Sequence, residues 1–187
     1  MKKLRFSEYL IKSNNLESHG FDEWVFSSGM LFNDIDKWWD TGSVRCRLHE
    51  GVDFQMFKDK TGKSHSLKTE LKVPVMFDGE VVQIGNDLLG KSIFCKHEIQ
   101  DEKNKILHTV YAHTIPHSDV KIGTRLKEGD LIATLADTNG KGLMISPHLH
   151  VTTAWIAETV DYKTLSWKTI CDSDIVFISD PFDFIKL

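Results

Sequence analysis

Hydrophobic and polar positions change rhythm along the chain near residue 44. Before that point, Leu4, Tyr9, Leu10 and Leu16 fall at near-helical spacing and predict one short helix. Phe32, Ile35, Trp38 and Trp39 predict a second, with Asn33 or Asp34 as its N-cap and Gly42 just beyond its end. From Val44 onward the pattern is one of strands and turns. Residues 73–77 and 80–84 are β-rich runs joined at Asp78-Gly79, which reads as a tight hairpin. Residues 91–97 and 105–113 make another pair across a charged loop, and 130–135, 148–157 and 174–179 supply further strands. Residues 58–72, rich in lysine and turn formers, read as a solvated loop. The fold class this predicts is mainly β, an antiparallel sandwich or barrel over residues 45–187, with a short, partly helical N-terminal extension over 1–44.

Three of the five tryptophans, Trp24, Trp38 and Trp39, lie in that extension. They are expected to pack it onto the larger domain; an aromatic shelf for a ligand is the alternative. Composition adds exclusions. With 41% hydrophobic and 27% charged residues, the 187-residue chain can bury a sizeable core, and wholesale disorder is excluded. A net charge of −4 gives no basic footprint, so no nucleic-acid partner is expected. Cys46, Cys95 and Cys171 form no CxxC pair, which speaks against a disulfide framework or a cysteine zinc site. No stretch approaches the roughly 18 apolar residues of a membrane span, and Arg5, Glu8 and Lys12 interrupt any signal-peptide core near Met1. Neither membrane insertion nor export by a signal in this chain is therefore expected.

Three clusters carry candidate chemistry: His49-Glu50-Gly51-Val52-Asp53, Tyr111-Ala112-His113 and Pro147-His148-Leu149-His150. In a strand, His148 and His150 share a face with Cα atoms about 6.6 Å apart, so two imidazoles can converge on one small volume. One can bind a metal while the other addresses what the metal holds. A straight strand would separate His49 and Asp53 by about 13 Å, so the chain between them must bend, and Gly51 gives it freedom to do so. A helix would also bring them together. That rival reads His49-Glu50-x-x-Asp53 as an altered HExxH with Glu50 as general base, against which stand Gly51 and the period-two pattern. Two histidines and one carboxylate suit a catalytic zinc with an open fourth position. His113 can serve as fourth ligand, base or hydrogen-bond donor. The remaining histidines, His19, His65, His97, His108 and His117, read as solvated or locally hydrogen-bonded. A Cys46 nucleophile between Arg45 and Arg47 is a weaker reading than cysteine as a small hydrophobe.

In this order the clusters resemble the motifs of the M23 metallopeptidases, the lysostaphin-type peptidoglycan endopeptidases. His49-x-Gly51-x-Asp53 is similar to HxGxD, Tyr111-Ala112-His113 to Y-x-H, and Ser146-Pro147-His148-Leu149-His150 to the closing (S/G)PHLH. Pro74-Val75, residues 78–82, Val120 and residues 127–130 resemble the framework between them. The resemblance spans roughly residues 47–184. It implies an antiparallel β fold with a groove over one Zn2+ ion, with His49, Asp53 and His150 as ligands. It implies His148 as general base and His113 as its assistant, acting on a peptide substrate, usually a stem or cross-bridge peptide of bacterial peptidoglycan. Work outside the cytoplasm would follow from such a substrate. A non-catalytic module of the same fold that binds wall peptides or a protein partner is the alternative, and an amidase with the same site is a third.

Overall fold

A computed structural model describes residues 5–139, 144–172 and 175–187. Leu4 and Asp174, which figured in the predicted helix and last strand, lie outside them. The architecture is mainly β, and every strand pairing is antiparallel. Helix α1 (Phe6–Ser13) is followed by β1 (Phe21–Val25), β2 (Val52–Phe54), β3 (Met56–Asp59), β4 (Ser64–Ser66) and β5 (Lys72–Pro74). Then come β6 (Gly79–Asn86), β7 (Lys91–Gln100), β8 (Lys105–Pro116), β9 (Arg125–Leu126), β10 (Leu131–Leu135) and β11 (Leu149–Ala157). Helix α2 (Trp167–Asp172) and β12 (Val176–Ser179) close the chain. Among the described residues no helix is long and apolar enough to cross a membrane.

The main sheet runs β12-β11-β8-β7-β6-β9, with β2 also on β11 and β10 bridging β8 to β5. The alternation seen in the sequence decides which side chains go to which face. Ile93, Cys95, Leu107, Tyr111, Leu149 and Val151 point into the larger core, where they meet Phe6 and Leu10 of α1 and Trp24 of β1. Phe94, Val110, Ala154 and Ile156 point the other way, under Leu165 and Ile170. His150 and Thr152 share that second face, so the chemistry is segregated from the main core by the pleat alone.

Four expectations are corrected here. Residues 32–39 form turns and a single bridge, Asp36 to Val44, with no helix; their backbone groups instead serve the segment 43–53, as described below. Within 58–72, the end of β3 and all of β4 join β1 in a small three-stranded sheet, while the turns between and after them are mostly exposed, as expected of a solvated loop. Asp78-Gly79 is no hairpin turn, because β5 pairs with β10 while β6 pairs with β7 and β9. A Cβ at Gly79 would lie 2.3 Å from the Lys96 carbonyl oxygen, so close backbone approach is the reason for glycine there. Finally, His97 is buried in the sheet with partners distant in sequence, whereas His108, also buried, makes a local hydrogen bond from Nδ1 to the Ile106 carbonyl, as expected. His97 Nδ1 donates to the Asp78 carbonyl at 2.9 Å, and its Nε2 lies 2.9 Å from Thr109 Oγ1.

Candidate metal centre

The His49-to-Asp53 segment enters β2 from an extended, non-helical stretch, so the helical HExxH reading is overturned. Glu50 instead accepts a hydrogen bond from Cys171 Sγ at 3.2 Å. Gly51 does not need a left-handed backbone. Its role is close packing: a Cβ there would lie 2.1 Å from the Val151 carbonyl oxygen. That contact lets β2 lie along β11 with Asp53 directly opposite His150.

The pairing brings three atoms from distant stretches into one small triangle. His49 Nε2 lies 3.0 Å from His150 Nδ1 and 3.2 Å from Asp53 Oδ1, while His150 Nδ1 lies 2.8 Å from Asp53 Oδ1. All three residues are buried, and among the described residues they form the one cluster of three such groups able to hold a metal ion. Each also has an outward partner. His49 Nδ1 donates to the Leu31 carbonyl at 2.9 Å, so in the neutral ring the Nε2 lone pair faces the triangle. His150 Nε2 lies 2.8 Å from Thr152 Oγ1, which can accept a hydrogen bond from Nε2–H and so leave the Nδ1 lone pair free in the neutral ring. Asp53 Oδ2 accepts from Trp38 Nε1 at 2.7 Å.

These distances fit a small divalent cation. Ligands 2.0–2.1 Å from a tetrahedral zinc lie about 3.3 Å from one another, close to the edges observed. Two imidazole nitrogens and a carboxylate oxygen are also the donor types zinc takes, and outward hydrogen bonds are what hold such ligands in place. Burial alone would raise the Asp53 carboxyl, but His148, His150 and His49 around it hold it well below the usual carboxylate range. Burial likewise lowers the His150 imidazole. An anionic carboxylate and neutral imidazoles are the protonation states that bind a cation.

His148 and His113 stand beside the triangle. His148 Nδ1 donates to the Ser146 carbonyl at 2.9 Å, which turns Nε2 toward the site, 3.8 Å from Asp53 Oδ1. Burial pushes its imidazole down to about 4. His113 lies where β8 passes from β11 to β10 as partner. Its φ of 62° kinks the strand there, and its ring centre comes 4.8 Å from that of His148. Asp87 stabilises this conformation, accepting from the His113 amide at 2.9 Å and from Nδ1 at 3.1 Å. Asp87 further accepts from the amides of Leu89 and Gly90 and from Ser92 Oγ. Burial opposes its ionisation, yet His113 and these donors keep its carboxyl far below the usual range.

The site opens into a cleft of about 630 Å³ whose lining includes Trp39, Arg45, Leu88, Ile145 and Trp167. Sequence reasoning missed Asp87 and Arg45. Asp87 lies in the turn between β6 and β7, where an aspartate is common for local reasons and carries no periodic signal. The tryptophans divide. Trp24 is buried in the main core and donates to Ser7 Oγ at 2.7 Å. Trp38 holds Asp53, and Trp39 walls the cleft with the Arg45 guanidinium 4.5 Å above its ring. Cys46 is exposed.

A family model, peptidase family M23, matches residues 47–162. That is more than half of the chain. The protein belongs to peptidase family M23. Among solved structures it is similar to lysostaphin in solution, at 19% identity over 75% of this chain, with a TM-score of 0.43. It spans only 52% of that lysostaphin chain. It is also similar to the catalytic domain of the prophage-encoded M23 protein EnpA from Enterococcus faecalis, at 15% identity, covering 77% of this chain and 97% of that one, TM-score 0.43. The SpoIIQ-SpoIIIAH pore-forming complex matches at 17% identity over 91% of this chain and 87% of that one, TM-score 0.43. Among curated proteins none matches in sequence.

Proposed function

We propose that this M23 protein is a zinc-dependent endopeptidase acting on peptide bonds, with the stem or cross-bridge peptides of peptidoglycan as substrate. The observation that carries the reading is the triangle of His49 Nε2, Asp53 Oδ1 and His150 Nδ1, with His148 and His113 beside it at the floor of a cleft. The peptidase unit is residues 45–187, with 1–44 as an N-terminal extension whose described part packs against it. His49, Asp53 and His150 would hold one Zn2+ ion, which when bound supplies a Lewis acid for a scissile carbonyl and acidifies water. His148 is the general base. Burial keeps it neutral near pH 7, and with Nδ1 donating to Ser146 its Nε2 is the atom that takes the proton. His113 assists. With Nδ1 donating to Asp87, the neutral ring presents its Nε2 lone pair and shares the base role; as the imidazolium, once it has taken a proton, Nε2 can donate to charge developing on the substrate. The walls formed by Trp39 and Trp167 exclude water and bind the peptide by its backbone and apolar parts.

Metal analysis combined with digestion of purified peptidoglycan, with and without a chelator, tests the reading. Wild-type protein should carry one zinc per chain and release peptide fragments only without chelator. His49→Ala should lose the ion; normal zinc content in it would refute the ligand assignment. His148→Ala should keep zinc and lose turnover by about 10²- to 10⁴-fold. Zinc-loaded wild-type protein that binds peptidoglycan but cleaves nothing would favour the non-catalytic module instead.

A further inference from the structure

Two of the three candidate ligands are held by chain that precedes residue 47, where the family match begins. The Leu31 carbonyl accepts a hydrogen bond from His49 Nδ1 at 2.9 Å. Around the same histidine, the Asn33 amide donates to the His49 carbonyl and the His49 amide donates to the Asp34 carbonyl, both at 2.9 Å. The Asp53 amide donates to the Met30 carbonyl at 2.9 Å. The segment 30–34 thus lies along 49–53 as a backbone splint. Its turn is tight. A Cβ at Gly29, where φ is +90°, would lie 2.6 Å from the Asp36 carbonyl oxygen.

One side chain of this segment reaches the ligand atoms' own carboxylate. Trp38 Nε1 donates to Asp53 Oδ2 at 2.7 Å, and its ring stands edge-on to His148 with centres 5.0 Å apart. Arg45 also points at Oδ2, but from 3.5 Å. The same guanidinium also donates to the Gly29 carbonyl at 2.8 Å and the Asp36 carbonyl at 3.1 Å, so Arg45 is the longer of two donors to Oδ2 and forms an ion pair with it. The difference matters physically. A carboxylate offers two oxygens and can turn about its last bond, so a donor on Oδ2 fixes which oxygen faces the triangle. Arg45 places its charge beside Oδ2 from the greater distance, so the short, directional bond that sets the carboxylate's orientation is the indole's. A neutral indole N–H orients the carboxylate and leaves the carboxylate's own charge in place.

We propose that Trp38 is a positioning residue of the metal centre, fixing Asp53 through Oδ2 so that Oδ1 meets the ion, and that the segment before the family-matched region is thereby part of the site. This rests on the zinc reading above. It assigns Trp38 no contact with the ion or the substrate.

The test compares zinc affinity in the full chain, measured on metal-stripped protein by competition with a chromophoric chelator, with the melting temperature of the same metal-free protein. Trp38→Phe keeps a ring against His148 and removes only the N–H donor. It should weaken zinc binding about 10- to 100-fold with a small change in metal-free melting temperature. Trp24→Phe removes an indole hydrogen bond from the same N-terminal region, to Ser7, and should show the reverse: a lower melting temperature with zinc affinity within about twofold of wild type. Trp38→Met, also without a donor, replaces the phenylalanine variant should that one not fold. Wild-type affinity in Trp38→Phe overturns the proposal and leaves the zinc reading standing. Equal weakening in Trp24→Phe also overturns it, because general loosening of the N-terminal segment would then be the cause. Absence of zinc binding by the wild type removes the metal reading, and this proposal with it.

Discussion

Gly51→Ala is the most incisive perturbation of this architecture, because a single methyl group addresses both the fold and the site. The methyl carbon would stand 2.1 Å from the Val151 carbonyl oxygen, 2.8 Å from its carbon and 2.9 Å from Thr152 Oγ1. Real Cβ contacts stay above 3.0 Å, so β2 and β11 would have to part by about 0.9 Å. Both nearest atoms are backbone, which cannot swing aside as a flexible side chain would. Overpacking of this kind costs about 1–3 kcal/mol, and straining the short β2–β11 pairing adds roughly 1 kcal/mol per weakened hydrogen bond. A total near 3 kcal/mol lowers the melting temperature of a chain this size by roughly 6–12 °C. The same displacement stretches the 2.8 Å edge between His150 Nδ1 and Asp53 Oδ1, far beyond the roughly 0.2 Å that a metal site tolerates. Calorimetry of metal-stripped protein and chelator competition for zinc would read the two effects separately. Gly85→Ala is the control, since a Cβ there meets nothing closer than Phe94 Cε2 at 4.0 Å. It should stay within about 0.5 kcal/mol of wild type. If Gly51→Ala melts with Gly85→Ala and binds zinc like wild type, close backbone approach is not what this glycine serves.

Further outcomes follow from buried groups away from the candidate metal centre. Tyr111 accepts a hydrogen bond from the Met76 amide at 2.6 Å inside the main core. Tyr111→Phe strands that amide and should cost about 1–3 kcal/mol in a denaturant titration while leaving zinc affinity unchanged; a fall in zinc affinity would make the tyrosine part of the site. Burial pushes both His97 and His108 down to about 4. Because the unfolded chain takes up these protons near pH 6.5, their contribution to stability is fully present above that pH. It declines as pH falls toward 4 and changes no further below it, by on the order of 3 kcal/mol for each group. Denaturant titrations of metal-stripped protein from pH 7.5 to 4 should show this slope, reduced in His97→Gln. A flat profile over that window would mean that neither ring is held neutral by the fold.

Much of the β framework was legible because period-two alternation is a local property. The strands at 91–97, 105–113, 130–135 and 148–157 correspond to β7, β8, β10 and β11, and α1 covers the predicted first helix from Phe6. Where local pattern misled, tertiary partners had decided the outcome. Residues 32–39 carry helix-like spacing, yet their backbone groups bond to the segment 43–53, through Lys37 to Ser43 and Asp34 to His49. Residues 58–72 are polar enough for a loop, yet β3 recruits Ser64–Ser66 of them as an edge strand. Asp78-Gly79 has the composition of a hairpin turn, but β5 finds its partner in β10, more than fifty residues on.

By itself the sequence determined which residue types carry chemistry and on which strand face His150 and Thr152 fall, because the pleat ties face to parity. It also carried the three motifs that mark an M23 peptidase. What it could not specify is contact between atoms a hundred residues apart. That Asp53 lies opposite His150 and that Gly51 is there to let two backbones close up are products of strand pairing, and that Trp38 and Asp87 hold a carboxylate and an imidazole follows from turns folded against those strands. Hydrogen-bond geometry over such separations is set only once the chain has folded, and no spacing along the sequence encodes it.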